Sequence, residues 1–134
     1  MITKIKIGDS FDQVYIVTES FVENFIDLSN DKNILHVSDE FAKEKGFKSR
    51  VVHGNLQNCF LSHFIGECLP FKNVMIISQS INYKNPVYIN DKLFLGVIVN
   101  GIFDSVNVIE FKFHFKNESN EIVSNGNINI KLLI

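Results

Sequence analysis

Residues 54–70 read GNLQNCFLSHFIGECLP, and residues 74–134 turn abruptly to a different rhythm. In the first stretch Leu56, Phe60, Leu61, Phe64, Ile65 and Leu69 recur three and four residues apart, the signature of a helix with a wide apolar stripe, which Pro70 then ends. Four period-two stretches follow: VMIISQSINYKNPVYI (74–89), DKLFLGVIVNGIF (91–103), SVNVIEFKFHFKN (105–117) and EIVSNGNINIKLLI (121–134). They predict four successive antiparallel strands joined by Asn, Asp, Gly and Ser turns. The third alternates most clearly, with Ile109, Phe111, Phe113 and Phe115 against Val108, Glu110, Lys112 and His114. One long apolar helix ahead of several long strands has no second helix on which to bury its stripe. The economical solution is an α+β arrangement, a curved antiparallel β-sheet wrapped around a long central α-helix.

Upstream of that helix the signals are shorter. Residues 1–18 alternate roughly and predict an edge strand or a short hairpin. From Thr18 to Leu28, Phe21, Val22, Phe25, Ile26 and Leu28 take helical spacing, with Thr18 or Ser20 available as the cap. Residues 29–36 are polar and irregular, a loop. Ser38 caps a short helix over 39–45, closed by Gly46.

A chain of 134 residues, 46% apolar and 21% charged, is expected to form one domain over 1–134 with a real core. Its formal net charge of −2 comes from interspersed charges, which leaves no footprint for nucleic acid and no basic cluster for a membrane surface. No apolar run suits a membrane span, and the opening residues MITKIKIGDS lack a signal core, so a cytoplasmic location is expected. Cys59 and Cys68, without a disulfide framework, read as reduced, buried thiols.

Few residues invite chemistry. Asp31 and His36 lie five apart in the polar loop, close enough for one water to touch both. A carboxylate and an imidazole sharing a water form a general acid/base pair; the plainer reading is a turn-forming Asp and a packed His. Gly54 at a helix entrance lets backbone approach a ligand and offers a free N–H to a developing oxyanion, or it is simply a tight turn. Ser62, on the helix, needs a partner if it faces inward, whether core, substrate or the carbonyl one turn back. Cys59 and His63 share a helix face, with His53 upstream, but no paired metal-ligand motif accompanies them, so no metal is expected. Walker, dinucleotide-binding and nucleophile-elbow motifs are absent.

At these residues the sequence resembles the MaoC-like, (R)-specific enoyl-CoA hydratase (hydratase 2) family, of the single-hotdog type. The family motif runs Gly-Asp-x-Asn-Pro-hydrophobic-His, then five residues, then a small one. Here it reads Asn30-Asp31-Lys32-Asn33-Ile34-Leu35-His36, with Ala42 at the small position. The resemblance continues through Arg50-Val51-Val52-His53-Gly54, Leu61-Ser62, Gln79-Ser80-Ile81 and Tyr83 to Tyr88, from about residue 10 to the C-terminus. It implies a hotdog fold and reversible syn addition of water to a trans-2-enoyl thioester. Asp31 and His36 would activate water, the Gly54 N–H would hold the thioester oxygen, and Ser62 would help order the site. It implies no cofactor, with coenzyme A or acyl carrier protein carrying the substrate, and a homodimer or dimer of dimers. Phe60 and Ile65 are expected to line the acyl pocket and to favour a short or branched chain. Two positions depart from the motif: Asn30 stands for Gly and Ile34 for Pro. Two other readings stay open, a hotdog thioesterase, whose acidic residue at the start of the central helix is replaced here by Asn55, Gln57 and Asn58, and a silent thioester-binding hotdog. The dehydratases of fatty-acid synthesis share the fold but carry a His-Phe-Pro motif that is absent here.

Overall fold

A computed structural model describes residues 2–134. Its elements run β1 (Ser10–Ile16), α1 (Glu19–Ser29), α2 (Ile34–Val37), α3 (Asp39–Glu44), α4 (Leu56–His63), a π-helical extension of α4 (Phe64–Cys68), β2 (Val74–Tyr83), β3 (Lys92–Phe103), β4 (Val108–Lys116) and β5 (Ile122–Leu132). The five strands form one antiparallel sheet in the order β1-β3-β4-β5-β2. Its inner face carries the apolar row of β4, where Ile109, Phe111, Phe113 and Phe115 are all buried. The stripe of α4 and its extension lies in the same core: Leu56, Phe60, Leu61, Phe64, Ile65 and Leu69 are buried with those phenylalanines. Burying each such side chain contributes roughly 1.5–3 kcal/mol before ordering costs, so this contact holds the layers together. The edge strand β1 joins through aromatic contacts, Tyr15 stacked on Phe60 at 4.5 Å and Phe11 edge-on to Phe64 at 5.8 Å.

Several sequence expectations need correction. The central helix is α-helical for only eight residues before widening to π geometry. The strands do not all pair in succession: β3, β4 and β5 form a meander, while β2 crosses over to pair with β5. Period-two patterning reports which face a residue takes, not which strand lies beside it. Residues 2–18 supply one edge strand, and residues 34–37 of the expected loop form a helical turn. That turn starts where Asn33 Oδ1 accepts the Leu35 N–H at 3.0 Å. Thr18 is the residue that caps α1, accepting the Phe21 N–H, and Ser38 caps α3 through the Phe41 N–H. Both cysteines are free and half-buried. No helix is long and apolar enough to cross a membrane.

The β5–β2 pairing depends on a position with no side chain. A Cβ on Gly126 would stand 1.9 Å from the Ser80 carbonyl oxygen, and backbone cannot yield there without breaking the ladder. Gly126→Ala is therefore expected to cost about 3 kcal/mol in a urea unfolding titration. A loss under about 0.5 kcal/mol, the size of an ordinary surface substitution, would show that β2 does not lie against β5 in this register.

Candidate active site

The site is assembled from three segments that converge at the start of α4. The first is the turn after α1. Asn30 takes left-handed backbone (φ 57°, ψ 23°) and its N–H bonds the Ile26 carbonyl, ending the helix. The chain then folds back: Asp31 Oδ1 accepts the Asn33 N–H at 3.1 Å and Ser29 Oγ accepts the Asp31 N–H at 3.1 Å. Asp31 itself remains about half exposed; its Oδ2 makes no hydrogen bond among the described residues and lies 4.0 Å from His53 Nε2. The second segment is α2, which carries His36. Its Nδ1 lies 2.7 Å from the Val51 carbonyl oxygen. A carbonyl only accepts, so Nδ1 carries the proton and Nε2 presents its lone pair.

Residues 50–54 are the third segment, and they bind the other two together. The Arg50 guanidinium reaches Glu23 of α1 at 3.3 Å, and the Arg50 backbone N–H donates to Asp39 Oδ1 at 2.9 Å. The Val51 N–H bonds the Leu35 carbonyl, and the Val52 N–H the Val87 carbonyl. His53, only 2% exposed, is the centre of this segment. Its ring stacks on His36 at 3.9 Å and tilts against Phe25 at 5.0 Å. Its Nε2 donates to the Asp31 carbonyl at 2.9 Å, while Nδ1 is buried with no partner among the described residues. One nitrogen from each imidazole and one Asp31 carboxylate oxygen all lie within 4.8 Å of one another, so one water can reach Asp31 and His36 together.

His53 is the site residue that sequence reasoning passed over. It entered there beside Cys59 and His63, as a weak metal constellation, and in the Arg50–Gly54 block of the resemblance with no role of its own; the structure sends Cys59 and His63 elsewhere. His63 Nδ1 and the Tyr15 hydroxyl share a hydrogen bond at 2.8 Å. Burial pushes the pKa of that hydroxyl up to about 12, so it stays protonated. Among the described residues the grouping with metal-ligand character is instead Asp31, His36 and His53. A cation held through His53 Nε2 would have to displace its bond to the Asp31 carbonyl.

His36 and Gly54 share a cleft of 410 Å³, with Val51, Val52 and Phe47 on one side and Tyr83 to Val87 on the other. The Gly54 N–H has no hydrogen-bond partner among the described residues, and it sits at the entrance of α4 where the helix dipole is positive. Ser62 is on the exposed face of α4 and does not line this cleft. Phe60 and Ile65 do not line it either. Both are sealed in the core, Phe60 within a cluster with Tyr15, Phe21 and Phe115.

Residues 4–119 match the MaoC like domain family. The chain belongs to that family. An (R)-specific enoyl-CoA hydratase from Rhodospirillum rubrum is 33% identical over 108 residues, covering 81% of this chain and 75% of that protein. A mitochondrial 3-hydroxyacyl-[acyl-carrier-protein] dehydratase from Arabidopsis thaliana is 29% identical over 127 residues, 92% of this chain and 75% of that one. In structure, the (R)-hydratase from A. caviae involved in PHA biosynthesis superposes with a TM-score of 0.91 at 24% identity, covering 98% of this chain and 100% of that one. The fold is therefore the hotdog.

Both departures of this MaoC like domain from the motif fit their positions. Asn30 occupies the left-handed conformation that Gly normally supplies, and Asn is the residue that tolerates it best after Gly. Ile34 is the first helical residue of α2, where Pro is favoured because no intrahelical bond needs its N–H. The preceding Asn33 is already extended (φ −54°, ψ 137°), the backbone a following proline demands. Ile34→Pro is thus expected to stabilise the fold by about 0.4–1 kcal/mol, read as a raised Tm; a lowered Tm would mean that this turn is not the one described.

Gly54 is required for a second reason. A Cβ there would come 2.9 Å from the Tyr83 ring. Gly54→Ala is expected to lower stability by about 1–3 kcal/mol, with much of the loss recovered when Tyr83 is also changed to Ala. Strictly additive losses in that double-mutant cycle would contradict the contact.

Proposed function

We propose that this chain is an (R)-specific enoyl-thioester hydratase, adding water reversibly and syn across a trans-2-enoyl thioester to give the (R)-3-hydroxyacyl thioester. The observation that carries this reading is the joining, through His53-Gly54, of a carboxylate–imidazole pair to an unpartnered backbone N–H at a helix start. Water addition needs those parts together: a base, a second group to orient the water, and a donor for the charge that develops on the thioester oxygen. The named relatives act on the same pair of compound classes in the two directions of one reaction.

In this mechanism the water lies between Asp31 Oδ2 and His36 Nε2. Asp31 takes a proton as the water oxygen bonds to Cβ, and the double-bond electrons move through Cα to the carbonyl oxygen. The Gly54 N–H, reinforced by the dipole of α4, holds the resulting enolate oxygen. The proton held between Asp31 and His36 then returns to Cα from the same face, which makes the addition syn and leaves both groups as they began. No cofactor takes part in this scheme. The first turn of α4 carries no carboxylate, so nothing there favours the thioesterase reading. Lys84, exposed at the cleft mouth, is suitably charged for a carrier bearing phosphate.

We also assign a homodimer formed through β2. Among the described residues that strand pairs only with β5, which leaves its other edge open, and its Met75, Ile76 and Ile77 are exposed. An apolar open edge of this length is a liability unless it is paired. The half-buried free cysteines suit a reducing, cytoplasmic setting.

Asp31→Asn and His36→Gln are each expected to reduce hydration of crotonyl-CoA by about 10²–10⁴-fold, with thermal melting and dimer mass unchanged. Loss of the enoyl absorbance at near-normal rate in either variant would overturn the assignment.

A further inference from the structure

Gln57 does not belong in a plain hydrocarbon wall. It lies in the first turn of α4, its N–H bonded to the Gly54 carbonyl at 3.0 Å, and it is only 2% exposed. A buried amide must satisfy one acceptor and two donor hydrogens. The acceptor is used: Oε1 takes the hydroxyl of Ser124, fully buried on β5, at 2.5 Å. The amide nitrogen has no such partner among the described residues. It is also not among the sealed unpartnered polar atoms, which are His53 Nδ1 and Asn129 Oδ1. Gln57 lines the cleft shared by His36 and Gly54, so the free N–H₂ group opens there.

The Ser124 bond fixes which way the amide points. With Oε1 taken by Ser124 on β5, Nε2 is the end of the amide left for a ligand, and the ordering cost of a long polar side chain is met by the fold before any ligand arrives. The cleft is graded in the same sense. Its exposed mouth carries Lys84, Asn85 and Asn55, the groups suited to a polar carrier arm, while buried Gln57 lies with Val52 and Val87 at the floor.

We infer that Gln57 is a specificity residue that selects acyl chains bearing a hydrogen-bond acceptor, such as a keto oxygen, over plain hydrocarbon chains. This rests on the hydratase reading above and names the substrate class for the same site. An aliphatic acyl chain at the floor would leave a buried N–H₂ without water and without a partner, whereas a chain carbonyl would complete it.

The test compares trans-2-enoyl-CoA thioesters of matched chain length, one series plain and one carrying a ketone at the penultimate carbon, in a hydration assay. It also measures binding of the corresponding saturated acyl-CoAs by calorimetry. The expected result is a kcat/KM at least about tenfold higher for the keto member of one matched pair. That ratio should collapse toward one in Gln57→Met. It should invert in Gln57→Glu, which keeps an acceptor for Ser124 but removes both donors. Because Gln57→Met orphans the Ser124 hydroxyl, the double variant Gln57→Met/Ser124→Ala serves as the folded control and should show the same collapse. Equal turnover of keto and plain chains by the unaltered protein, or a ratio untouched by these changes, would overturn the inference while leaving the hydratase reading standing. Should no enoyl-CoA be hydrated, the hydratase reading fails, and the calorimetric ratio then decides the inference: tighter binding of the keto chain, lost in Gln57→Met, supports it, and equal binding overturns it. A uniform loss of affinity for every thioester in Gln57→Met would place the amide on the carrier arm and would also overturn it.

Discussion

The stripe from Leu56 to Leu69 has to be covered, and the face of the sheet carrying Phe111, Phe113 and Phe115 is what covers it. Once α4 is laid there, the position of its first turn is no longer free. Leu56 and Phe60 fix the helix in rotation, which sets Gly54 at the rim and turns Gln57 inward toward β5. The active-site entrance is thus a by-product of core packing, held by apolar area rather than by the polar contacts around it. Loops tolerate the geometry of a site only when a rigid element aims them. Here that element is the buried helix.

His53 transmits this placement to the acid/base loop. It precedes Gly54 in the chain, so the core fixes its backbone, and its ring reaches across to the Asp31 carbonyl while lying flat on His36. Val51 performs the same service one residue pair earlier, bonding α2 through both its N–H and its carbonyl. Asp31, His36 and the Gly54 N–H are consequently parts of one connected unit. A displacement of α4 would move Gly54 and, through His53, Asp31 together. That coupling preserves their spacing, which is the quantity a positioned reaction depends on.

How much of this was legible in the sequence varies with the range of the interaction. The alternation of Ile109 to Phe115 and the stripe of α4 are local, repeated signals, and both survive intact in the structure. Strand order is not local. Nothing in residues 74–89 says that β2 will pass over β3 and β4 to reach β5, because that choice depends on closing the sheet around the helix. The Asp31–His36 spacing could be read because both residues lie in one loop, although the loop's helical turn at 34–37 was hidden by its polar flanks. His53 and Gln57 were not legible as site residues. A histidine before a glycine, or a glutamine on a helix, acquires meaning only from partners 22 and 67 residues away.

The two motif departures show what the loop actually requires. Asn30 conserves a backbone conformation and not a residue type, since the left-handed turn is present with a side chain on it. Ile34 conserves neither the ring nor its restriction, yet α2 begins in the same place because Asn33 caps it from the side chain. The entropy a proline would remove from the unfolded chain is instead offset by folded-state bonds: the Asn33 cap, the Asp31 turn, and the Val51 clamp on Leu35 and His36. Preorganisation of Asp31 and His36 therefore rests on local bonds within residues 31–35 and on the bonds that Val51 and His53, in the segment between α3 and α4, make to them. Weakening that segment would loosen the site before it loosened the fold, because β1, β3, β4 and β5 hold their register without it.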